Sequence, residues 1–173
     1  MTKRKIISLT VFLSLIGLVT YYFYPEKRLP DDVQIDSIVV YKSKREMFTY
    51  SGGQLQKTYK ISLGRQPFGA KEVEGDKKTP EGIYFINDKK PNSGYYKNLG
   101  ISYPDKNDIE NAKRLGKPAG GDIEIHGIRN GIGFIGKFHR WFDWTLGCIA
   151  VTNKEMDELY RAVKFEARIE IKP

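Results

Sequence analysis

The chain has 173 residues, the size of one ordinary domain with at most a short appendage. A hydrophobic fraction of 40% and a charged fraction of 29% exclude an intrinsically disordered chain. One cysteine and two histidines exclude an intrachain disulfide framework and a zinc module built on several cysteines. The formal net charge of +8 predicts an anionic partner without identifying it.

Residues 1–25 have the pattern of a membrane anchor. The basic cluster Lys3-Arg4-Lys5 precedes the uncharged stretch 6–24. As a helix rising about 1.5 Å per residue, this stretch nearly crosses a hydrocarbon core of about 30 Å. Tyr21, Tyr22 and Tyr24 at its far end are typical of an interfacial aromatic belt. The basic flank predicts one pass through the inner (cytoplasmic) membrane, with the rest of the chain on the periplasmic side.

A cleaved signal peptide, which would release the protein into the periplasm, is the alternative to an anchor. No small-x-small cleavage site is evident before Tyr24-Pro25, so the sequence favours an uncleaved anchor. Without residues 1–25 the chain keeps 26 basic and 21 acidic residues, a formal charge of +5. This charge suits an anionic envelope surface. It does not favour nucleic acid, because no basic helix or RNA-binding aromatic motif is present.

The remaining sequence predicts a linker over 26–34 and a mostly β domain over 35–173. Turn residues and β-branched runs predict strands over 35–41, 46–50, 55–63, 82–87, 123–126 and 167–172. Ser51-Gly52-Gly53 predicts a hairpin turn. Residues 64–78 are predicted to form an exposed loop, and residues 89–94 a turn-rich gap.

Two helices are predicted. Residues 105–115 form a weak amphipathic pattern through Ile109, Ala112 and Leu115. Residues 153–163 form a stronger one, with apolar residues at helical spacing and a capping box of Thr152 and Glu155. So few helices predict a sandwich, barrel or mixed sheet with helices at one edge.

The only cysteine, Cys148, lies in Thr145-Leu146-Gly147-Cys148-Ile149-Ala150. An unpaired thiol outside the cytoplasm is exposed to oxidation, which raises the question of its role. The apolar residues that follow it are compatible with a small buried hydrophobe. Gly147 is compatible with a nucleophile, since it lets the backbone approach a substrate and present an amide to an oxyanion. The residues alone leave both interpretations open.

The two histidines are candidate bases for a cysteine nucleophile. His126 ends an alternating strand, although a lone histidine often makes only a local hydrogen bond. His139, Arg140 and Trp144 belong to an aromatic and charged stretch, 137–144, predicted to line a substrate or to pack on its own rings. A Cys-His-His metal site is conceivable by count, but no ligand spacing supports it, and no cofactor is expected.

Three motifs in order resemble the L,D-transpeptidase (YkuD-type) catalytic domain. His126-Gly127 is followed by Thr145-x-Gly147-Cys148-Ile149. Upstream lie Gly75 and the segment Thr79-Pro80-Glu81-Gly82, similar to the family's Thr-Pro-x-Gly segment. The opening strands and the helix from Asn153 extend the resemblance over roughly residues 35–172.

This resemblance implies a mostly β fold and an enzyme that acts on the stem peptides of peptidoglycan. It implies Cys148 as the nucleophile and His126 as its base, with the Gly127 carbonyl orienting the imidazole. Amides around Gly147 and Cys148 would form the oxyanion hole. The cysteine would attack the bond from the meso-diamino acid to the terminal D-Ala of a tetrapeptide stem, and the thioacyl-enzyme would pass to an amine or to water.

Two residues depart from the common family pattern. Leu146 stands in place of a second histidine, and Ala150 stands where many members have arginine, a charge that Arg140 could replace. The Thr-x-Gly-Cys-x-Ala form resembles a subgroup that includes a hydrolase releasing lipoprotein from peptidoglycan. Transfer and hydrolysis therefore both stay open, as do the acceptor amine and the oligomeric state. A catalytically silent peptidoglycan-binding module is the non-enzyme alternative, and a thiol pKa at or above its usual value would favour that module.

Overall fold

The protein forms a mostly β domain preceded by one long helix, and the prediction of fold class is confirmed. The structure, a computed structural model, describes residues 2–173. The helices are α1 (Lys3–Phe23), α2 (Lys106–Arg114) and α3 (Asn153–Ala162), with a 3₁₀ segment at Gly133–Trp141. The strands are β1 (Ile35–Tyr41), β2 (Glu46–Ser51), β3 (Gln54–Lys60), β4 (Gly82–Ser93), β5 (Tyr96–Ile101), β6 (Glu124–His126), β7 (Ile149–Ala150) and β8 (Val163–Lys172).

The eight strands form one sheet in the order β3-β2-β1-β8-β4-β5-β6-β7. Strands β1, β2 and β3 form an antiparallel meander. Gly52 and Gly53 both take positive φ in the tight turn between β2 and β3, where the sequence predicts a hairpin turn. Strand β8 pairs in parallel with β1, and β6 pairs in parallel with β7. The alternating residues Ile169 and Ile171 of β8 are buried in the core.

The two outer edges of this sheet meet. Ser62, just beyond β3, exchanges two backbone hydrogen bonds with Ala150 of β7, with N–O distances of 3.0 and 2.8 Å. Gly64 forms a further bridge with Thr145. We call this contact between residues 62–64 and 145–150 the seam. The sheet therefore curls until β3 and β7 approach each other, and the segment that carries Cys148 lies along the closure.

Strands β4 and β5 differ from the prediction. Strand β4 continues to Ser93 through the stretch 89–93, which the sequence predicts as a gap, and β5 was not predicted. The register between β4 and β5 shifts between Lys90 and Ser93, so Pro91 lies at an irregularity where a missing N–H is tolerated. The residues of this stretch favour a turn, but pairing with β5 makes them part of a bulged strand.

Helix α3 agrees with the prediction more closely than α2. Its N-terminus has the predicted capping box, in which Thr152 and Glu155 each accept the other's backbone N–H. Helix α2 is capped by Asp105, but of the three predicted apolar residues only Ala112 is buried. Ile109 and Leu115 are exposed, so α2 lies on the surface.

The segments before β1 were predicted as an anchor and a linker. Helix α1 is long and apolar enough to cross a membrane, with a mean hydropathy of 2.0, and none of its residues is buried. A signal sequence has the same two properties. Residues 26–34 contain no helix or strand, yet Leu29 is buried in the core and Glu26 pairs with Arg140. The segment therefore packs on the domain.

Candidate active site

The parallel pairing of β6 with β7 brings His126 and Cys148 to the same region. Ile125 lies opposite Ile149, and His126 lies opposite Ala150. Cys148 directly precedes β7, two residues before Ala150. Because side chains alternate along a strand, Cys148 projects to the face of the pair that also carries His126.

The imidazole of His126 is buried and oriented by its neighbour. Its Nδ1 lies 2.6 Å from the carbonyl oxygen of Gly127. A carbonyl only accepts, so Nδ1 carries the hydrogen and Nε2 keeps its lone pair. Burial lowers the pKa of His126 to about 4, with the Gly127 carbonyl acting in the opposite direction. At neutral pH the ring is therefore uncharged and able to accept a proton at Nε2.

Tight packing explains why residue 127 is glycine. A Cβ atom there would lie 2.7 Å from Asn153 Oδ1 and 2.9 Å from Tyr96 Cβ. Asn153, the first residue of α3, also accepts a hydrogen bond from the amide of Ile128 at 2.8 Å. The start of α3 thus fixes the loop that follows His126.

Thr145 builds the turn that presents Cys148. Its hydroxyl donates to the carbonyl of Cys148 at 2.7 Å and accepts from the amide of Gly147 at 3.1 Å. Gly147 takes a φ of +138°, and a Cβ atom there would lie 2.8 Å from the Lys78 carbonyl oxygen. The turn is therefore fixed internally and packed against the loop before the Thr79-Pro80 motif.

The thiol of Cys148 is protonated at rest. Its Sγ donates to the carbonyl of Asp122 at 3.4 Å. Burial raises the pKa of the thiol to about 11, while a hydrogen bond from the Glu124 backbone acts in the opposite direction. A thiol pKa above its usual value is the property expected of a silent peptidoglycan-binding module. However, a base on the same face can take the proton during attack, so a neutral Cys–His pair is compatible with catalysis.

Alkylation should report this protonated state directly. Between about pH 7 and 9 we expect the rate of Cys148 modification by iodoacetamide to rise about tenfold per pH unit without a plateau, because the thiolate fraction is still growing. Intact mass measures the rate, and Cys148→Ala, which has no thiol, is the control. A plateau below pH 7 would show a preformed thiolate and contradict the raised pKa.

Aromatic rings form one wall around His126. The Trp144 ring lies edge-on, 5.6 Å from the imidazole centroid, and the Tyr95 ring lies 4.7 Å from it. The two rings are 6.0 Å apart. The structure thus places the predicted residue Trp144 at the site and adds Tyr95. Nothing in the sequence indicated Tyr95, because its turn is distant along the chain.

His139 is buried, and its predicted contact with a substrate stays a prediction. Only 1% of the residue is exposed. Its Nδ1 lies 3.2 Å from Ser62 Oγ. The indole N–H of Trp144 also donates to His139 Nδ1, over an N–N distance of 3.5 Å. Burial and the charge of Arg140 lower the pKa of His139 to about 3. His139 is therefore a neutral support between the seam and Trp144.

Three other residues predicted to contact substrate have partners inside the protein, and their contact with substrate stays a prediction. The guanidinium of Arg140 pairs with Glu26 and Glu155 at 2.7 and 2.8 Å, so its charge is already neutralised. The Thr145 hydroxyl and the Gly147 amide are both used inside the turn. Among residues 2–173 the Cys148 amide has no hydrogen-bond acceptor, which leaves it as the candidate oxyanion donor.

The two departures from the family pattern occupy different environments. Leu146 is 67% exposed beside Cys148, so it presents an apolar surface to solvent at the site. Ala150 is fully buried and hydrogen-bonded through its backbone to Ser62. An arginine side chain at position 150 would need space that this seam does not provide.

A neutral histidine and a cysteine on one face are compatible with activation of a cysteine nucleophile by histidine. The family model of the YkuD L,D-transpeptidase catalytic domain matches residues 35–171. The chain belongs to this family.

The relatives and solved structures agree with this assignment. YafK of Escherichia coli (strain K12), provisionally named an L,D-transpeptidase, is 32% identical over 132 residues, which cover 73% of this chain and 46% of YafK. The helical cell shape determining protein Pgp2 from Campylobacter jejuni is 26% identical with a TM-score of 0.60, over 82% of this chain and 49% of Pgp2. An L,D-transpeptidase from Enterococcus faecium is 14% identical with a TM-score of 0.53, over 80% and 50% of the two chains, and shares the fold. The chain spans less than half the length of YafK.

Proposed function

We propose that this protein is a peptidoglycan L,D-transpeptidase that works through a Cys148 thioacyl-enzyme. The donor is a tetrapeptide stem, and the acceptor is an amine, so the product is a cross-linked or exchanged stem. Family membership supports the reaction class. The observation that carries the proposal is the imidazole of His126, held neutral with Nδ1 on the Gly127 carbonyl and with Nε2 free to accept a proton.

In the proposed first step, Cys148 Sγ attacks the carbonyl carbon between the meso-diamino acid and the terminal D-Ala. The thiol proton moves to His126 Nε2, and the Cys148 amide stabilises the oxyanion. The C–N bond then breaks, and the imidazolium returns the proton to the leaving amine of D-Ala. In the second step the acceptor amine attacks the thioester carbonyl and gives a proton to Nε2. The C–S bond then breaks, and the imidazolium returns the proton to the Cys148 thiolate.

Hydrolysis of the same thioester is the second candidate function, and the residue at position 146 favours it. The exposed Leu146 stands where the common pattern has a histidine, so the site lacks one polar side chain beside Cys148. Water would then take the place of the amine, and the products would be D-Ala, or a released peptidoglycan-linked lipoprotein, and a free stem carboxylate.

We further propose that the enzyme acts outside the cytoplasm while anchored by α1. The basic cluster Lys3-Arg4-Lys5 at one end of the helix and the tyrosines at the other support this orientation. Pgp2 is a cell shape determining protein, and this similarity supports a role in cell-wall remodelling for this chain too.

The decisive experiment supplies a disaccharide-tetrapeptide to the full chain in detergent, with and without an added D-amino acid. Products are identified by mass, and Cys148→Ala is the matched control. We expect replacement of the terminal D-Ala by the added amino acid, or a cross-linked dimer, in the wild type only.

The other outcomes separate the alternatives. Loss of D-Ala without exchange or dimer would establish hydrolysis and overturn the transferase proposal. An unchanged stem in the wild type would contradict the tetrapeptide donor and leave the silent binding module. Equal products from Cys148→Ala would exclude the thioacyl route.

A further inference from the structure

The last turn of α1 packs against the 3₁₀ segment of the domain. The Tyr22 hydroxyl donates to the carbonyl of Phe134 at 2.7 Å. The Tyr21 ring lies 6.0 Å from Trp141. Gly136 makes room for this contact, because a Cβ atom there would lie 2.9 Å from the Tyr22 ring. The 3₁₀ segment therefore lies beside the C-terminal end of α1.

This segment and the residue after it expose three large aromatic side chains near that contact. Phe134 is 73% exposed, Trp141 is 57% exposed and Phe142 is 63% exposed. We call these three residues the aromatic platform. Single exposed apolar residues are common, but a cluster beside an apolar helix needs a partner.

The length of α1 sets the position of the platform relative to a bilayer. Its 21 residues rise about 31 Å, close to the hydrocarbon thickness of about 30 Å. With Lys3 at one surface, Tyr21 and Tyr22 reach the opposite interface. Trp141, which contacts Tyr21, then lies at the depth that tryptophan prefers in membrane proteins.

A lysine next to the platform also suits an interfacial position. Lys137 donates to the carbonyls of Tyr21 and Tyr24 at the end of α1 and lies 3.6 Å from Glu26. The Lys137 side chain therefore connects the domain to the C-terminal end of α1 and to the residues that follow it. These contacts join the domain to the end of α1.

We propose that the aromatic platform binds the outer interface of the bilayer that α1 crosses. The domain then rests on the membrane surface, and the candidate active site faces stem peptides close to that surface. This inference rests on the proposed anchor and does not depend on which reaction Cys148 performs. A second copy of the chain on the platform is the competing occupant.

Tryptophan fluorescence can test the proposal because the chain has only Trp141 and Trp144. The full chain is reconstituted in phosphatidylcholine–phosphatidylglycerol vesicles, with or without lipids brominated near the headgroup. Trp144→Phe reports on Trp141, and Trp141→Phe reports on Trp144. We expect bromolipids to reduce Trp141 emission about twofold or more, because its ring lies among the lipids. Trp144, covered by His126 and Tyr95, should change far less.

A further variant separates platform binding from mere proximity to α1. Replacing Phe134 and Phe142 by serine in the Trp144→Phe background should weaken the quenching of Trp141 and raise its quenching by aqueous iodide. Quenching unchanged by these replacements would overturn the proposal. Thermal unfolding in each sample verifies that the variants are folded.

The remaining outcomes are also distinct. Failure of the chain to float with vesicles would refute the anchor. Flotation with Trp141 open to iodide and unaffected by bromolipids would refute the platform and leave the anchor intact. Trp141 shielded from both quenchers would place it against protein, in favour of a second copy, and would overturn lipid binding.

Discussion

Replacing Cys148 with alanine is expected to reduce turnover of a tetrapeptide stem about 10⁴-fold or more, because removing a nucleophile eliminates the covalent route. Cys148 is the only cysteine, so no other thiol can substitute for it. The covalent intermediate should also disappear. Intact mass of rapidly quenched wild-type protein should show the stem acyl group, and the variant should show the unmodified mass.

The fold should survive this change. The Cys148 thiol donates one weak hydrogen bond, to the Asp122 carbonyl. Loss of such a bond lowers the free energy of unfolding by about 1 kcal/mol. Thermal unfolding of the variant should therefore remain cooperative. His126→Gln is the second control, with an expected loss of about 10²–10⁴-fold, since it removes the base and keeps the thiol. Turnover retained in both variants would assign the chemistry elsewhere.

Replacing Lys42 with methionine is expected to cost about 3–5 kcal/mol of the free energy of unfolding. Lys42 is 2% exposed, and its Nζ lies 2.8 Å from a carboxylate oxygen of Glu81 and 2.9 Å from the Thr79 carbonyl. Methionine fills similar space but leaves the carboxylate and the carbonyl without a donor. Urea unfolding followed by tryptophan fluorescence gives the difference.

An exposed ion pair provides the matched control. Lys60, with 59% of its side chain exposed, pairs with Glu46, and Lys60→Met should cost less than about 1 kcal/mol. Adding Glu81→Leu to Lys42→Met should recover part of the loss, because the unpaired carboxylate is then gone. Equal effects of Lys42→Met and Lys60→Met would show that the buried cluster contributes no more than a surface pair.

The Lys42 cluster also explains why a motif distant from Cys148 matters to the site. Lys42 holds the Thr79-Pro80-Glu81 segment, and the Thr79 hydroxyl accepts the amide of Gly64 at 3.1 Å. Gly64 belongs to the seam that flanks the cysteine turn. The segment resembling the family's Thr-Pro-x-Gly motif therefore supports, through Gly64, the turn that carries Cys148.

Local patterns predicted those elements that local physics specifies. Strand β1 matches its predicted bounds, and α3 has its predicted cap because a capping box needs only four residues. Strand β5 escaped prediction because its order comes from tertiary pairing, with β4 on one side and with β6, which is distant in sequence, on the other. Pro91 indicated a turn, but tertiary pairing makes it part of a bulged strand.

At the candidate site, sequence motifs predict His126 and Cys148, and strand pairing brings these two residues to one region, but the motifs do not predict the partners of their neighbours. Arg140 was predicted to face substrate from its charge alone, and its pairing with Glu26 and Glu155 depends on how residues 26–34 fold back. His139 was predicted from its residue type, and its burial against Ser62 follows from the seam. Such long-range contacts leave no periodic signal in one sequence.

The seam has a consequence for the order of folding. It joins Ser62 and Gly64, from the first half of the domain, to Thr145 and Ala150 near its end. Contacts so distant in sequence form late, because loop-closure entropy must be overcome before they stabilise the chain. Until these contacts form, the turn that carries Cys148 lacks its support from Ser62 and Gly64. The arrangement of the candidate site is therefore complete only when the two ends of the sheet close on each other.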